Sequence, residues 1–152
     1  MSKKHPQFPP FANEQEVESF LERPLLARFC SINADGSIHA TPIYYLYQGG
    51  EFLFGTQLKA HKIQNIQRDK HVTVLIDTDE PVLQSVLVYG DAELDFEDLL
   101  EKRVKILERY YDDPAQARAF AERLIKEWET VIIHVRPEKV VTVDYSKPFS
   151  ID

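Results

Sequence analysis

A single cysteine, Cys30, stands in the whole 152-residue chain. That excludes an internal disulfide and any metal site built from several cysteines. Positive charge is also scarce: 18 lysines and arginines face 25 aspartates and glutamates, for a formal net charge of -7. A protein whose main partner was nucleic acid would need a broad basic face to neutralise phosphates, so that class is set aside. A small anionic ligand stays open, because it needs positive charge only locally. No apolar run approaches the roughly 20 residues of a membrane-spanning helix. The opening MSKKHPQFPP lacks the apolar stretch of a secretory signal. His39, His61, His71 and His134 are scattered without the spacing of a zinc site. The expectation is a cytoplasmic protein of one domain, residues 1–152, whose residues 1–13 form an irregular lead-in.

What is present reads mostly as strands. NEQEVESFLER predicts a short helix, with Asn13 as cap, Glu16 three residues on, and Val17, Phe20 and Leu21 on one face. LLARFCSIN, SIHATPIYYLY and EFLFGT follow, rich in β-branched and aromatic residues. Asp35-Gly36 and Gly49-Gly50 join them, which is a strong signal for a β-meander. LKAHKIQNIQR predicts a helix with Leu58, Ile63 and Ile66 near one face. HVTVLIDT and EPVLQSVLVYGDAELD read as strands, with Gly90 a bulge or a point of close approach. FEDLLEKRVKILERYYDD predicts a helix on which Phe96, Leu99, Leu100, Val104 and Leu107 recur at helical spacing and Glu101 pairs with Lys105. PAQARAFAERLIKEWE predicts a second helix with proline in its first turn. TVIIHVRPEKVVTVDY reads as two strands around Arg136-Pro137. The sum is a mainly β (α+β) fold: an antiparallel split β-barrel of about six to seven strands with peripheral helices, which hides strand edges better than an open sheet.

Within this acidic chain the bases gather at one place. GTQLKAHKIQNIQRD, residues 55–69, carries Lys59, His61, Lys62 and Arg68, with Lys70 and His71 just beyond. A helix N-terminus offers unpaired N–H groups and the positive end of the dipole, so this junction would suit a phosphate. Thr56 adds a hydroxyl, and Lys59 and Lys62, three apart, can share one side of the first turns. Lysines also simply solvate helix faces. Yet cations early in a helix oppose its dipole, a placement from which a purely structural helix gains nothing.

The run from Leu25 to Gly90 resembles the flavin-binding split-barrel family typified by pyridoxamine phosphate oxidase. ARFCSINADGSIHATPIYYLY is similar to its opening hairpin, and GGEFLFGTQLKAHKIQNIQRD to its phosphate-binding strand and helix. HVTVLIDT, SVLVYGDAEL and VIIHVRPEKVVTVD resemble its later strands in the same order. The resemblance implies that Lys62 binds the phosphate of FMN, helped by Ala60 and His61, with Gly55 and Thr56 touching the phosphate and ribityl chain, and Lys59 joins them from the charge pattern. It implies that Thr41, Pro42, Ile43 and Tyr44 border the isoalloxazine ring and that Ser85, or the adjacent Gln84, is the family's polar residue on the later strand. It implies a homodimer with a flavin at the subunit interface and a small-molecule redox substrate. The flavin does the electron transfer in such proteins, so no side-chain nucleophile is needed, and the catalytic residues stay unassigned.

The departures narrow the reading. Pyridoxamine phosphate oxidases proper have arginine where this chain has Thr41 and lysine where it has Leu46, and their Arg-x-His pair has no counterpart after Asp144. Vitamin B6 oxidation is therefore not expected. A ring-covering aromatic of many relatives is here Val143, with Tyr145 two residues on. The expected function is an FMN-dependent oxidoreductase. The alternatives are a deazaflavin-dependent reductase, and a non-enzymatic flavin- or haem-binding module that would need His39 or His134 as ligand. His39 and Cys30 read otherwise as a surface or interface residue and a small apolar one. Tyr44, Leu46 and Ile38 alternate with Tyr45, Tyr47 and Ile43, which makes this strand apolar on both faces. One face should meet the core and the other a partner or cofactor.

Overall fold

A computed structural model describes residues 6–151. The elements run β1 (Pro6–Gln7), α1 (Glu14–Leu21), β2 (Ala27–Ile32), β3 (Ile38–Ile43), β4 (Leu46–Gln48), β5 (Glu51–Gln57) and α2 (His61–Arg68), then β6 (His71–Thr78), β7 (Gln84–Asp95), α3 (Leu99–Glu108), α4 (Pro114–Glu127), β8 (Thr130–Asp144) and β9 (Ser150–Ile151). Seven of the strands form one antiparallel sheet in the order β3-β2-β6-β7-β8-β5-β4. The short β1 pairs with β9, so the end of the proline-rich lead-in is tied to the C-terminal segment; residues 1–5 of that lead-in lie outside the described residues.

The order forces the sheet to curl. Its two edges, β3 and β4, are consecutive in the chain and only Tyr44 and Tyr45 separate them. Seven strands laid flat would hold those edges roughly 29 Å apart at ordinary strand spacing. Three Cα steps cover at most about 11 Å. The sheet therefore rolls into a barrel that is closed by the chain but not by hydrogen bonds, with a seam between β3 and β4. SIHATPIYYLY, expected as one strand, is thus two strands on opposite sides of the seam.

The seam is filled from α3. Arg109 and Tyr110, just past the helix end, reach into it. Tyr110 Oη accepts from the Tyr45 amide at 3.1 Å and donates to the Leu25 carbonyl at 2.7 Å. Arg109 donates to the carbonyls of Tyr45, Leu21 and Arg23. The Tyr45 amide and carbonyl at the break between β3 and β4, and the carbonyls of Leu21, Arg23 and Leu25 before β2, thus find side-chain partners. Burial opposes ionisation of the Tyr110 phenol and pushes its pKa up to about 12.

The barrel interior alternates with its surface as a strand period of two requires. Phe29, Phe52, Phe54, Val74, Ile76, Val86, Val88 and Ile133 point inward and are fully buried or nearly so. Ile63 and Ile66 of α2 close one end of this core. The α3–α4 hairpin lies on the outer face of β5 and β8, where Leu53, Ile106 and Ile132 form a second cluster.

Three local expectations change and one holds. Residues 130–144 are one continuous strand rather than two. Pro137 is tolerated because Glu138 is skipped in the register with β7, a bulge that leaves the missing amide without a ladder partner to lose. Gly90 sits at that bulge, where a Cβ would lie 2.3 Å from the Arg136 carbonyl oxygen, so the close approach read from the sequence is real. Phe96 lies before α3 and is 56% exposed, so it is no part of that helix's buried face. Glu101 pairs with Arg118 of α4 at 3.0 Å rather than with Lys105. A bidentate guanidinium on the neighbouring helix outcompetes an exposed ammonium one turn away.

Candidate functional site

α2 starts at His61, three residues later than the predicted helix, because Leu58 and Ala60 pack against the core and Ala60 takes the extended cap conformation. No side chain caps the helix and its first turn holds no acid. Lys59 and Lys62 consequently do not share a helix face. Lys59 precedes the helix, is exposed and lines a shallow cavity of about 250 Å³ with Gln57 and Trp128. Lys62 is only 8% exposed, and among the described residues its ammonium has no hydrogen-bond or ion-pair partner. Burial lowers its pKa. A lysine held this way is costly unless something anionic joins it.

The six bases of the junction divide by task. His71 bonds to Asp69, and Lys70 pairs with Asp91, at the start of β6. Arg68 donates to the Ile32 carbonyl at 2.9 Å and to Asn65 Oδ1 at 2.8 Å. A guanidinium only donates, so this contact settles which way the Asn65 amide faces. Asn65 Nδ2 then donates to Ser31 Oγ at 3.0 Å and to Asn33 Oδ1 at 2.9 Å. With Asn33 Oδ1 an acceptor, His61 Nε2, 2.8 Å away, is the donor. The ring proton of neutral His61 is therefore placed on Nε2, assigned from this network, and Nδ1 is left with its lone pair.

The opposite wall is β3. Ser31 on β2 is buried and pairs with His39, while Phe29 pairs with Thr41, so His39 and Thr41 share the inward face of the edge strand. The rings of His39 and His61 lie 4.7 Å apart, centroid to centroid. Thr41 Oγ1 is buried without a hydrogen-bond partner. The structure therefore brings together Thr41, His61, Lys62 and the uncapped start of α2, and adds His39, which the sequence reading set aside as a surface residue. Its strand alternation with Thr41 was the available signal. A largely buried lysine without an ion-pair partner among the described residues, an orphaned hydroxyl and free helix N–H groups fit a phosphate group.

The other expected residues take the following places. Gly55 lacks a side chain on the outer face, where Arg103 fills the space. Thr56 alternates to the inner face with Phe52 and Phe54. Pro42 is exposed and Ile43 partly buried against the core. Tyr44 stacks on Tyr110 at 4.0 Å between ring centroids. Ser85 lies in register with Asp77 and Val143 on the outer face, so one subunit does not bring it to Lys62. Gln84 instead donates to Asp144 and accepts from Arg23. His134 is tied to Asp95 at 2.7 Å and to Glu51, and is not a free ring for haem. Cys30 is half-buried, and burial pushes its thiol pKa up, which makes it a poor nucleophile.

An antiparallel barrel open along one seam, with a cationic cradle where β5 passes into α2, defines the split-barrel class. The chain belongs to the pyridoxamine 5'-phosphate oxidase family, whose model matches residues 14–144. Among solved structures it is similar to a conserved hypothetical protein of Mycobacterium tuberculosis, at 23% identity and TM-score 0.77 over 91% of each chain. It is similar to a protein named F420 reductase, at 24% identity and TM-score 0.65 over 81% of this chain and 94% of that one. A FAD-binding protein of Mesorhizobium loti matches at 19% identity and TM-score 0.60 over 91% and 96%. No curated protein matches the chain by sequence. Among the described residues no helix is long and apolar enough to cross a membrane.

Proposed function

We propose that this protein is an FMN-binding oxidoreductase that works as a homodimer on a small-molecule redox partner. The observation that carries the reading is Lys62: largely buried, without a partner among the described residues, and at an uncapped helix start next to His61. When bound, the flavin ring supplies two-electron chemistry. The chain's own residues bind and orient it: Lys62 and the first turn of α2 hold the phosphate, and the end of β3 from Thr41 to Tyr44 borders the ring. A deazaflavin coenzyme, with its long acidic tail, would favour a wider basic groove. Here Arg68 and Lys70 are already engaged and Lys59 turns to a different cavity, which favours FMN.

The dimer reading rests on the outer face of the sheet. Ile38 on the edge strand β3 is 64% exposed, and Tyr89 on β7 and Val141 on β8 are 42% and 40% exposed, on one face of the sheet. Large exposed apolar side chains spread over one face favour a partner there. The direct experiment is titration of the purified protein with FMN, followed by flavin fluorescence and absorption, with sedimentation in parallel. Saturation at one FMN per subunit of a dimer supports the proposal. An apo monomer that takes up no FMN would sink it.

A further inference from the structure

The anion site contains two imidazoles as well as an ammonium, and nothing around them neutralises charge. From β3 come His39 and Thr41, from β2 the neutral Ser31, and from the following turn the neutral Asn33. From α2 come His61, Lys62 and Asn65, while Arg68 is spent on Asn65 and the Ile32 carbonyl. Among the described residues no carboxylate bonds to His39, His61 or Lys62. The nearby acids are engaged elsewhere: Asp35 accepts from Ser37 and Asp69 from His71.

We propose that His39 is a direct phosphate-binding residue of this site, acting as a protonated donor opposite Lys62, so that phosphate binding is coupled to uptake of a proton. The proposal rests on the FMN reading above for its ligand, and on the geometry of the cradle for its chemistry. His39 is two residues before Thr41 on the same face of β3, within ring contact of His61. It therefore lies where a second base would complement Lys62 from the opposite wall. Burial, then the nearby His61 and Lys62, lower the His39 pKa, so the ring is neutral around neutrality. A phosphate dianion reverses the sign of the local field and favours the imidazolium. His61 is tied to Asn33 Oδ1 through Nε2, which commits that nitrogen to the network around Asn65. His39 has no hydrogen-bond partner among the described residues, so both of its ring nitrogens are open to a phosphate.

The sign follows from linkage. The complex binds a proton that the free protein lacks over the window between the lowered free pKa and the raised bound pKa. Phosphate affinity should fall as pH rises through that window, by up to about tenfold per pH unit. The phosphate's own second ionisation near pH 6 works the other way, since it makes more dianion as pH rises. A loss of affinity toward alkaline pH is therefore not a property of the ligand.

The test is titration of the full-length protein with FMN and with riboflavin, which lacks the phosphate, from pH 6 to 8.5. The wild-type FMN dissociation constant should rise about tenfold across this range, and the riboflavin constant should stay level. His39→Gln should flatten the FMN profile, whereas Lys62→Ala should weaken FMN at every pH and keep the slope. Parallel FMN profiles for wild type and His39→Gln overturn the proposal while leaving the FMN reading intact. If no flavin binds at all, that reading fails, and the cradle is judged by the His39 ring signals during titration with inorganic phosphate. Signals that shift with the same pH dependence uphold it, and signals that stay put overturn it.

Discussion

Arg103 occupies the space that a side chain at residue 55 would need: a Cβ built on Gly55 would lie 2.6 Å from both Arg103 Cδ and Nη1. Arg103 is 9% exposed, and its guanidinium approaches the Thr56 carbonyl, so α3 is keyed into the outer face of β5 at this point. Gly55→Ala should therefore lower stability by about 1–3 kcal/mol through overpacking. In an Arg103→Ala background the same change should cost less than about 0.5 kcal/mol. Urea unfolding of the four proteins measures the coupling, and equal penalties in both backgrounds would refute the contact.

Gly90→Ala should be worse than Gly55→Ala. The obstacle there is the Arg136 backbone carbonyl at 2.3 Å, not the flexible end of a side chain. Relief requires the bulge between β7 and β8 to reopen, at about 2–4 kcal/mol. Thermal unfolding should rank the two variants in that order.

Tyr110→Phe should loosen the seam. It removes the acceptor of the Tyr45 amide and the donor to the Leu25 carbonyl, leaving both without that partner, at a cost of about 1–3 kcal/mol. Hydrogen exchange should quicken at Tyr45 before it does so in β6. The same phenol predicts a base limit. Its folded pKa is raised, so its contribution is complete below pH 10 and is lost as pH climbs toward about 12.

Acid should weaken the attachment of α3. Burial opposes ionisation of Asp95, but bonds from Lys102, the Glu97 amide and His134 outweigh it and hold the carboxyl down at about 2. A depressed carboxylate contributes fully above its unfolded pKa and loses that contribution as pH falls from about 4 toward 2. With solvent screening the loss is on the order of 1 kcal/mol. Asp95→Asn should remove this part of the acid dependence of unfolding.

Lys62→Ala should weaken FMN by roughly tenfold to a hundredfold, the value of one charge-assisted contact of about 1.5–3 kcal/mol. The variant should be no less stable than wild type, because it removes a partly desolvated lysine that has no ion-pair partner among the described residues. Unchanged flavin affinity in a folded variant would move the phosphate site away from α2.

Much of this was legible in residue order because it is local. Asn13 caps α1 with its own side chain on the Glu16 amide. Gly49 and Gly50 both take positive φ, 62° and 79°, as a tight hairpin between β4 and β5 demands. Alternation along β6 and β7 marks their buried face, and Pro114 opens α4. These features depend on neighbours a few residues away, and the family's order of strands could be followed from them.

What the tertiary structure decided is which distant residues share a space. SIHATPIYYLY has one uninterrupted β pattern, and only closure of the barrel breaks it at Tyr44 and Tyr45. Lys59 and Lys62 look equivalent three residues apart. The late start of α2, set by the burial of Leu58 and Ala60, exposes one and buries the other. His39 and His61 are 22 positions apart in the chain, yet their rings touch because the edge strand β3 and the helix α2 both close onto the same end of the barrel. Local chemistry chose the strands and turns. The long-range burial of apolar side chains, which no short window of sequence contains, chose where the positive charge would meet.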